Sequence, residues 1–421
     1  MKQFSIAILG FGTVGLGVYR VLTEGQASIQ HREGIQVDVN KILVRDFVNE
    51  PNIDKAPREI FVTDVQEILS DPDISLVVEC MGGVEPARTF ILGALNAGKT
   101  VVTSNKEVIA KHWPEFVKAA KASGAGLYIE ATVGGGIPII RTVIDAMQGN
   151  NINRVMGIVN GTTNYILTRM KNEGADFADV LKDAQKLGYA EANPTADVEG
   201  FDAMYKLSIL GSLAFHAHVP IEHISREGIT KLSGADFAAA DTLGYAIKLL
   251  AIGKKGEEGI EMRVHPTMIP KAHPLAGVND VFNGIFLTGD AVGDVMLYGR
   301  GAGSLPTASA VVSDVIYGCH AQGGHKLPSF KNEAEITPDV KLSENAQGSY
   351  CIRFHGDEAL ASGMLKDLGI GVEKVVQLSG EEGHFALLTA PVKAQTLAEA
   401  MAKLSAEGSK IRVDSLLRVE A

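Results

Sequence analysis

Asp202 and Lys206 stand four residues apart in the stretch LGYAEANPTADVEGFDAMYKLSIL, and three further carboxylates, Glu191, Asp197 and Glu199, precede them. On a helix that spacing puts Asp202 and Lys206 on one face. Three chemistries fit the cluster. A solvated i,i+4 pair is commonplace and contributes only about 0.2–0.5 kcal/mol. A metal site asks for histidine at ligand spacing, and none accompanies these carboxylates. The third is a pocket for a polar ligand. It is favoured by the apolar Leu207, Ile209, Leu210, Leu213 and Phe215 on the same helix, since a half-buried ion pair is costly without further partners.

A second chemistry sits near the N-terminus, where Gly10-Phe11-Gly12-Thr13-Val14-Gly15 spells G-x-G-x-x-G between an apolar strand and a helix. In a dinucleotide site the first glycine permits the turn, the second admits the pyrophosphate and the third lets helix and strand pack closely. The helix start then offers unpaired N–H groups to the phosphates. The next strand ends in LVRD, where Arg45 can neutralise the 2′-phosphate of NADP while the adjacent Asp46 keeps NAD open. Lys106, in TSNKEVIA, opens a helix, where a cation opposes the dipole and calls for an anionic ligand or a proton-transfer role.

Two glycine- and amide-rich stretches leave their chemistry open. EATVGGGIPIIR combines Glu130 with three glycines whose carbonyls can hold a monovalent cation, or which simply form a hinge. VNGTTNYIL places hydroxyl and amide groups at a helix start, where they either bind a carboxylate or cap the helix.

The elements that must position these residues follow from periodicity. Strand-like FSIAIL, VDVNKILV, LVVEC, TVVTS and GLYIEA alternate with helix-like runs, including DVQEILS and KEVIAKHWPEFVKAAKASG, as expected for a doubly wound α/β domain over residues 1–131. The helix-like SLPTASAVVSDVIYGCH packs back on it, so that 304–324 completes this domain. Residues 132–303 read as an α+β substrate-binding and dimerisation domain, with strands near RVMGIVNG and IEMRVHPTMI. Residues 325–348 are polar and aperiodic, a linker. Residues 349–421 read β-α-β-β-α-β, a ferredoxin-like module.

Length and charge bound the function. A chain of 421 residues exceeds a single core. With 39 basic against 50 acidic residues and no basic run, the charge argues against nucleic acid and anionic membrane as partners, and no apolar run spans a bilayer, so a cytoplasmic protein is expected. Cys80, Cys319 and Cys351 are too far apart for a C-x-x-C metal knuckle.

Six motifs in order, GFGTVG, TSNK, EATVGGGIP, NGTTNYIL, LGYAEANPTADVEGFDAMYKL and YGRGAGSLPTASAVVSD, resemble homoserine dehydrogenases over residues 1 to about 320, and the C-terminal module resembles an ACT domain. The resemblance implies a Rossmann-type cofactor domain and NAD(P)-dependent interconversion of L-homoserine and L-aspartate 4-semialdehyde, a step in threonine, methionine and isoleucine biosynthesis. It implies that Phe11, Thr13, Val14 and Lys106 contact the nucleotide, with Gly188 and Gly303 on its nicotinamide side. Glu191 and Asp202 would hold the substrate ammonium group, and Lys206, beside the second cation Lys106, would carry the proton. Glu130 with the carbonyls of Val133, Gly135 and Ile137 would form a sodium site, and the chain would act as a homodimer or homotetramer. Two stretches depart from the pattern. HGDEALASGML lacks the Pro-Gly effector turn of many ACT domains, which points to assembly rather than threonine feedback. Asn193, Thr195 and Ala196 replace residues that are more acidic in some members, which leaves Asp197 a supporting residue.

Overall fold

The computed structural model describes residues 2–257, 259–321, 347–378, 383–404 and 410–420. The expected linker lies outside these residues up to 346, and Gln347 already opens a strand. Two compact units are present. One is built from Met1–Asn151, Ser208–Ile221 and the described part of Gly299–Ile336, the other from Ile152–Leu207, Glu222–Tyr298 and the described part of Thr337–Ala421.

The first unit is a parallel sheet of β1 (Lys2–Leu9), β2 (Ile35–Leu43), β3 (Phe61–Val62), β4 (Ile74–Glu79), β5 (Thr100–Thr103) and β6 (Leu127–Tyr128), in the order β3-β2-β1-β4-β5-β6. Ile6, Ile8, Val78 and Val102 are fully buried, as strands covered on both faces require. The order reverses between β1 and β4, which opens a crevice at the carboxyl ends of the strands. Helix Ser304–Ala321 packs against helix Thr13–Glu24. A Cβ on Gly17 would lie 2.8 Å from the Ser304 hydroxyl, which itself donates to the Thr13 carbonyl at 2.7 Å.

Two elements are shorter than the periodicity predicts. The helix in DVQEILS is the single turn Gln66–Leu69, and the strand in GLYIEA stops at Tyr128, after which Glu130–Thr132 turns as a 3₁₀ helix. Helix Lys106–Ser123 carries a non-helical residue at His112, two before Pro114, whose ring cannot follow a regular preceding turn.

The second unit contains β7 (Ile152–Ile158), β8 (Ser225–Arg226), β9 (Tyr245–Gly256), β10 (Gly259–Pro270), β11 (Phe282–Gly289) and β12 (Gly293–Arg300), which closes the strand row as the chain returns to the first unit. Periodicity places strands only near β7 and β10, so β8, β9, β11 and β12 are additions. Ala246–Gly253 is buried throughout, and a buried run without strict alternation cannot be told from a buried helix by periodicity.

The chain continues as β13 (Gln347–Gly356), helix Glu358–Asp367, β14 (Val372–Gln377), β15 (His384–Thr389), the short β16 (Val392–Lys393), helix Ala394–Leu404 and β17 (Ile411–Val419). The order β17-β13-β15-β14 is the fourth-first-third-second arrangement of a ferredoxin-like fold, around a core that includes Ile352, Phe354, Leu365, Phe385, Leu387 and Leu404. Parallel pairing of Thr267 with Arg418 and Met268 with Val419 joins β17 to β10. Among the described residues this makes one sheet ordered β12-β11-β7-β9-β10-β17-β13-β15-β14. No helix among the described residues is long and apolar enough to cross a membrane.

Asp236 fastens the ferredoxin-like part from outside it. Its buried carboxylate accepts from the Ser233 N–H at 2.8 Å, from Arg353 Nε at 3.0 Å and from the Ser415 hydroxyl. Removing one partner of a buried pair strands the other's charge. Asp236→Ala is therefore expected to lower unfolding free energy by about 3–5 kcal/mol, measured by urea denaturation. A loss within about 0.5 kcal/mol, typical of surface changes, would refute the fastening role.

Candidate active site

In the first unit the glycine turn joins β1 to helix Thr13–Glu24. Gly10 has φ +90° and donates its N–H to the Leu43 carbonyl at 2.9 Å. A Cβ on Gly15 would lie 2.0 Å from the Gly10 carbonyl oxygen, whereas Gly12 faces open space. The helix start has no side-chain cap, so its N–H groups are available to an anion. Thr13 is exposed and Val14 half-buried. The Phe11 ring is in the core, edge-on to Tyr19 at 5.7 Å and Phe61 at 5.3 Å, so it meets a ligand only through its backbone.

Arg45 is exposed just beyond β2. The Asp46 carboxylate accepts the N–H groups of Asn49 at 2.7 Å and Val48 at 2.9 Å, and the bond from Asn49 above all holds its pKa below the usual value. Asp46 thus closes its own turn. Two residues after Arg45, the Phe47 ring lies 3.9 Å beneath the Arg58 guanidinium, a cation the sequence reading did not single out.

Lys106 is half-buried at the first position of its helix. The preceding Asn105 caps that helix by accepting from the Val108 N–H at 3.2 Å, and its amide donates to the Gly83 carbonyl at 2.7 Å. Beneath this turn Glu79, fully buried at the end of β4, accepts from the Thr103 hydroxyl at 2.6 Å and the Met81 N–H at 2.7 Å. Burial pushes its pKa up. Glu79 is a second residue that sequence reasoning missed, because an acid at a strand end carries no local signal. Gly303 is exposed with φ +120°, immediately before helix Ser304–Ala321.

Glu130 is buried, and its carboxylate accepts from the N–H groups of Ile140 at 2.8 Å and Arg141 at 2.9 Å, capping the helical turn that begins at Ile139. Its own N–H donates to Asp314 at 2.8 Å, and Arg141 reaches the other Asp314 oxygen at 2.6 Å. Burial is the main cause that raises Glu130 to about 7 and Asp314 to about 6. Val133 and Ile137 are buried, and the Ile137 carbonyl accepts from the Ile139 N–H at 2.8 Å. The glycines here serve close approach, since a Cβ on Gly135 would lie 2.4 Å from the Gly301 backbone.

In the second unit Lys206 and Asp202 are both more than nine-tenths buried. The ammonium donates to the Val159 carbonyl and to Asp202 Oδ2, each at 2.7 Å. The open choice at VNGTTNYIL resolves toward capping and more, because Asn160 caps helix Gly161–Glu173 and its amide also donates to Asp202 and Asp197. Gly188 (φ +75°) and Glu191 are exposed in the loop after helix Phe177–Lys186. That loop is held by its backbone, with the Thr162 hydroxyl donating to the Tyr189 carbonyl at 2.6 Å and Gln185 to the Glu191 carbonyl at 3.0 Å. Glu199 faces Arg226 at 3.8 Å and accepts from Thr230 at 3.3 Å, which makes it structural. Among the described residues no group of three or more His, Cys, Asp or Glu is arranged to hold a metal ion.

A nucleotide turn in one unit and a buried lysine–carboxylate cluster in the other coincide with two family models. One is described as homoserine dehydrogenase, NAD binding domain, over residues 10–130, the other as homoserine dehydrogenase over residues 138–316. The Synechocystis homoserine dehydrogenase is 52% identical over 74% of this chain and 72% of its own. The chain belongs to the homoserine dehydrogenase family. A crystal structure of the Thiobacillus denitrificans homoserine dehydrogenase, 38% identical, covers 100% of this chain and 99% of that one with a TM-score of 0.92. A hyperthermophilic archaeal homoserine dehydrogenase in complex with NADPH, 28% identical, covers 80% of this chain and 100% of that one with a TM-score of 0.64.

The enzyme is thus an NAD(P)-dependent oxidoreductase that interconverts L-homoserine and L-aspartate 4-semialdehyde in amino-acid biosynthesis. Its glycine turn gives a first test. In Gly15→Ala the new methyl meets the Gly10 carbonyl, and overpacking of this kind typically costs about 1–3 kcal/mol. A lowered melting temperature and weakened NADPH binding, followed by nucleotide fluorescence, are expected. Unchanged binding would show that the turn tolerates a side chain.

Proposed function

We propose that Lys206 is the proton donor and acceptor of the homoserine dehydrogenase reaction. The carrying observation is a lysine withdrawn from water whose head group is fixed by one carbonyl and one carboxylate. When bound, the nicotinamide supplies or takes the hydride. In semialdehyde reduction Lys206 gives a proton to the forming alkoxide oxygen, and in homoserine oxidation it takes the hydroxyl proton. Asp202 shares its charge between Lys206 and the substrate ammonium, and the exposed Glu191 supplies the second carboxylate. Gly10 to Gly15 and Lys106 hold the nucleotide, with Gly188 and Gly303 toward its nicotinamide.

NADP is the cofactor we assign. Arg45 is an exposed cation at the strand end where the adenine ribose binds in this fold, and the neighbouring Asp46 is engaged in its own turn. The archaeal relative solved with NADPH supports the same choice.

The sodium site fits poorly. The Glu130 carboxylate already accepts two N–H groups and the Ile137 carbonyl one, so these oxygens are engaged in holding the backbone, and no step runs through a cation. The C-terminal module is an ACT-like domain used for assembly, in a homodimer or homotetramer. Where an effector turn would lie, Asp357 instead caps helix Glu358–Asp367 by accepting from the Leu360 N–H at 3.1 Å.

General acid–base catalysis contributes about 10²–10⁴-fold, so Lys206→Ala is expected to lose kcat on that scale when NADPH oxidation with aspartate semialdehyde is followed. A kcat equal to wild type would end the proposed role. Arg45→Ala is expected to raise KM for NADPH by about tenfold, the loss of one exposed charge-assisted contact, while leaving KM for NADH unchanged. Equal effects on both cofactors would contradict NADP recognition by Arg45.

A further inference from the structure

Asn160 lies between Val159, whose carbonyl receives Lys206, and the helix Gly161–Glu173 that it caps. Its side chain makes bonds of two kinds. Oδ1 accepts from the Thr163 N–H and the Thr163 hydroxyl, both at 2.9 Å. Nδ2 donates to Asp197 Oδ1 at 2.7 Å and to Asp202 Oδ2 at 2.8 Å. Chemistry dictates this orientation. A backbone N–H can only donate, so the atom facing it is the amide oxygen, and the two hydrogens of the NH₂ group are left for the carboxylates.

The atom that receives one of those hydrogens, Asp202 Oδ2, is also the atom that receives Lys206. Asp202 is therefore held from two sides. Asp197, a like charge, is held by the same nitrogen, so one neutral group keeps two carboxylates in place. A lysine head on a four-carbon stem has no fixed position of its own. Its position here depends on the Val159 carbonyl and on Asp202 staying in one rotamer.

We infer that Asn160 is a positioning residue for the proton transfer, holding Asp202 against Lys206 and tying the cluster to the start of helix Gly161–Glu173. The inference rests on the reading of Lys206 as the proton carrier and deepens it. The bonds of the cluster join the titratable groups Lys206 and Asp202 from helix Phe201–Phe215 and Asp197 from helix Thr195–Val198. The end of β7 and the helix Gly161–Glu173 contribute the Val159 carbonyl and the Asn160 amide, which do not titrate.

Two variants separate positioning from capping. Asp and Ser are both favoured N-caps, so each keeps an acceptor for the Thr163 N–H. Serine is too short to reach both carboxylates. Asn160→Ser is expected to lower kcat for semialdehyde reduction by about 10–100-fold, the scale of a misplaced catalytic group, with KM for NADPH nearly unchanged and the melting temperature lowered by the lost bonds to the carboxylates. Asn160→Asp sets a negative charge where the NH₂ stood, which favours the protonated lysine. Homoserine oxidation needs the neutral lysine, so its rise in rate with pH should move upward by about one unit or more.

If both variants keep the wild-type kcat and the wild-type pH profile, Asn160 is only a cap and the inference fails. Should the Asp variant not fold, the Ser variant decides. Lys206→Ala, run in the same pH series, separates the two readings. If it retains the wild-type profile, the proton-carrier reading falls and this inference with it. If it loses activity while Asn160→Ser behaves as wild type, this inference alone falls.

Discussion

A lysine ammonium taken out of water is several kcal/mol unfavourable unless protein groups replace its solvent, and the centre of the second unit is arranged around that requirement. Lys206 lies on a helix with Leu207, Ile209 and Leu210 buried beside it, so its partners have to come from other elements or from one helical turn away. Strand β7 ends at Ile158, which leaves the Val159 carbonyl beyond the strand's end and able to receive the ammonium. Asp202 comes from the preceding turn of the lysine's own helix, and Asn160 secures Asp202. The helix Gly161–Glu173, which Asn160 caps, meets a second buried lysine one turn on. Lys248 donates to the carbonyl of Val278, to Asn279 at 3.0 Å and to Asn164 at 3.4 Å, and burial lowers its pKa to about 8. The Asn164 amide is turned to the carbonyls of Val278, Asp280 and Phe282. Two asparagines four residues apart thus serve two buried lysines, which accounts for both amides of the NGTTN stretch.

Much of this could be read in the sequence wherever the interacting groups are close along the chain. Gly10 and Gly15 touch across five residues, and Asp202 and Lys206 bond across four, so motif spacing carried both. The alternation of the first unit and the β-α-β-β-α-β order of the C-terminal part were legible for the same reason, since each element announces itself locally.

What stayed hidden depends on distant partners. Glu130 meets Asp314 across 184 residues, and Asp236 meets Arg353 across 117, so only the folded chain identifies Glu130 and Asp236 as fastening points. Amides at a helix start presented a different difficulty. A cap and a ligand site use the same groups, and Asn160 proves to cap with its oxygen while its nitrogen serves the carboxylates. Phe11 sits inside the glycine motif by position, yet as a large apolar ring it is drawn into the core against Tyr19 and Phe61.

The first unit meets the same requirement for buried carboxylates. Glu79 and Glu130 each accept backbone N–H groups at the start of a loop or helix, and Asp314 accepts the N–H of Glu130. Asn105 does the same with its amide oxygen at the helix that Lys106 opens. These bonds hold still the chain segments that follow β4, β5 and β6, at the carboxyl end of the sheet where nucleotides bind in this architecture. Helix Thr13–Glu24 is treated differently, because its N-cap is Gly12, which has no side chain to offer. An acidic or amide cap there would occupy the N–H groups and crowd the approach, whereas an open glycine leaves both the partial positive charge of the helix and the space for a pyrophosphate. The uncapped start of helix Thr13–Glu24, in contrast to the Asn105-capped start of helix Lys106–Ser123, suits the anionic cofactor this family uses.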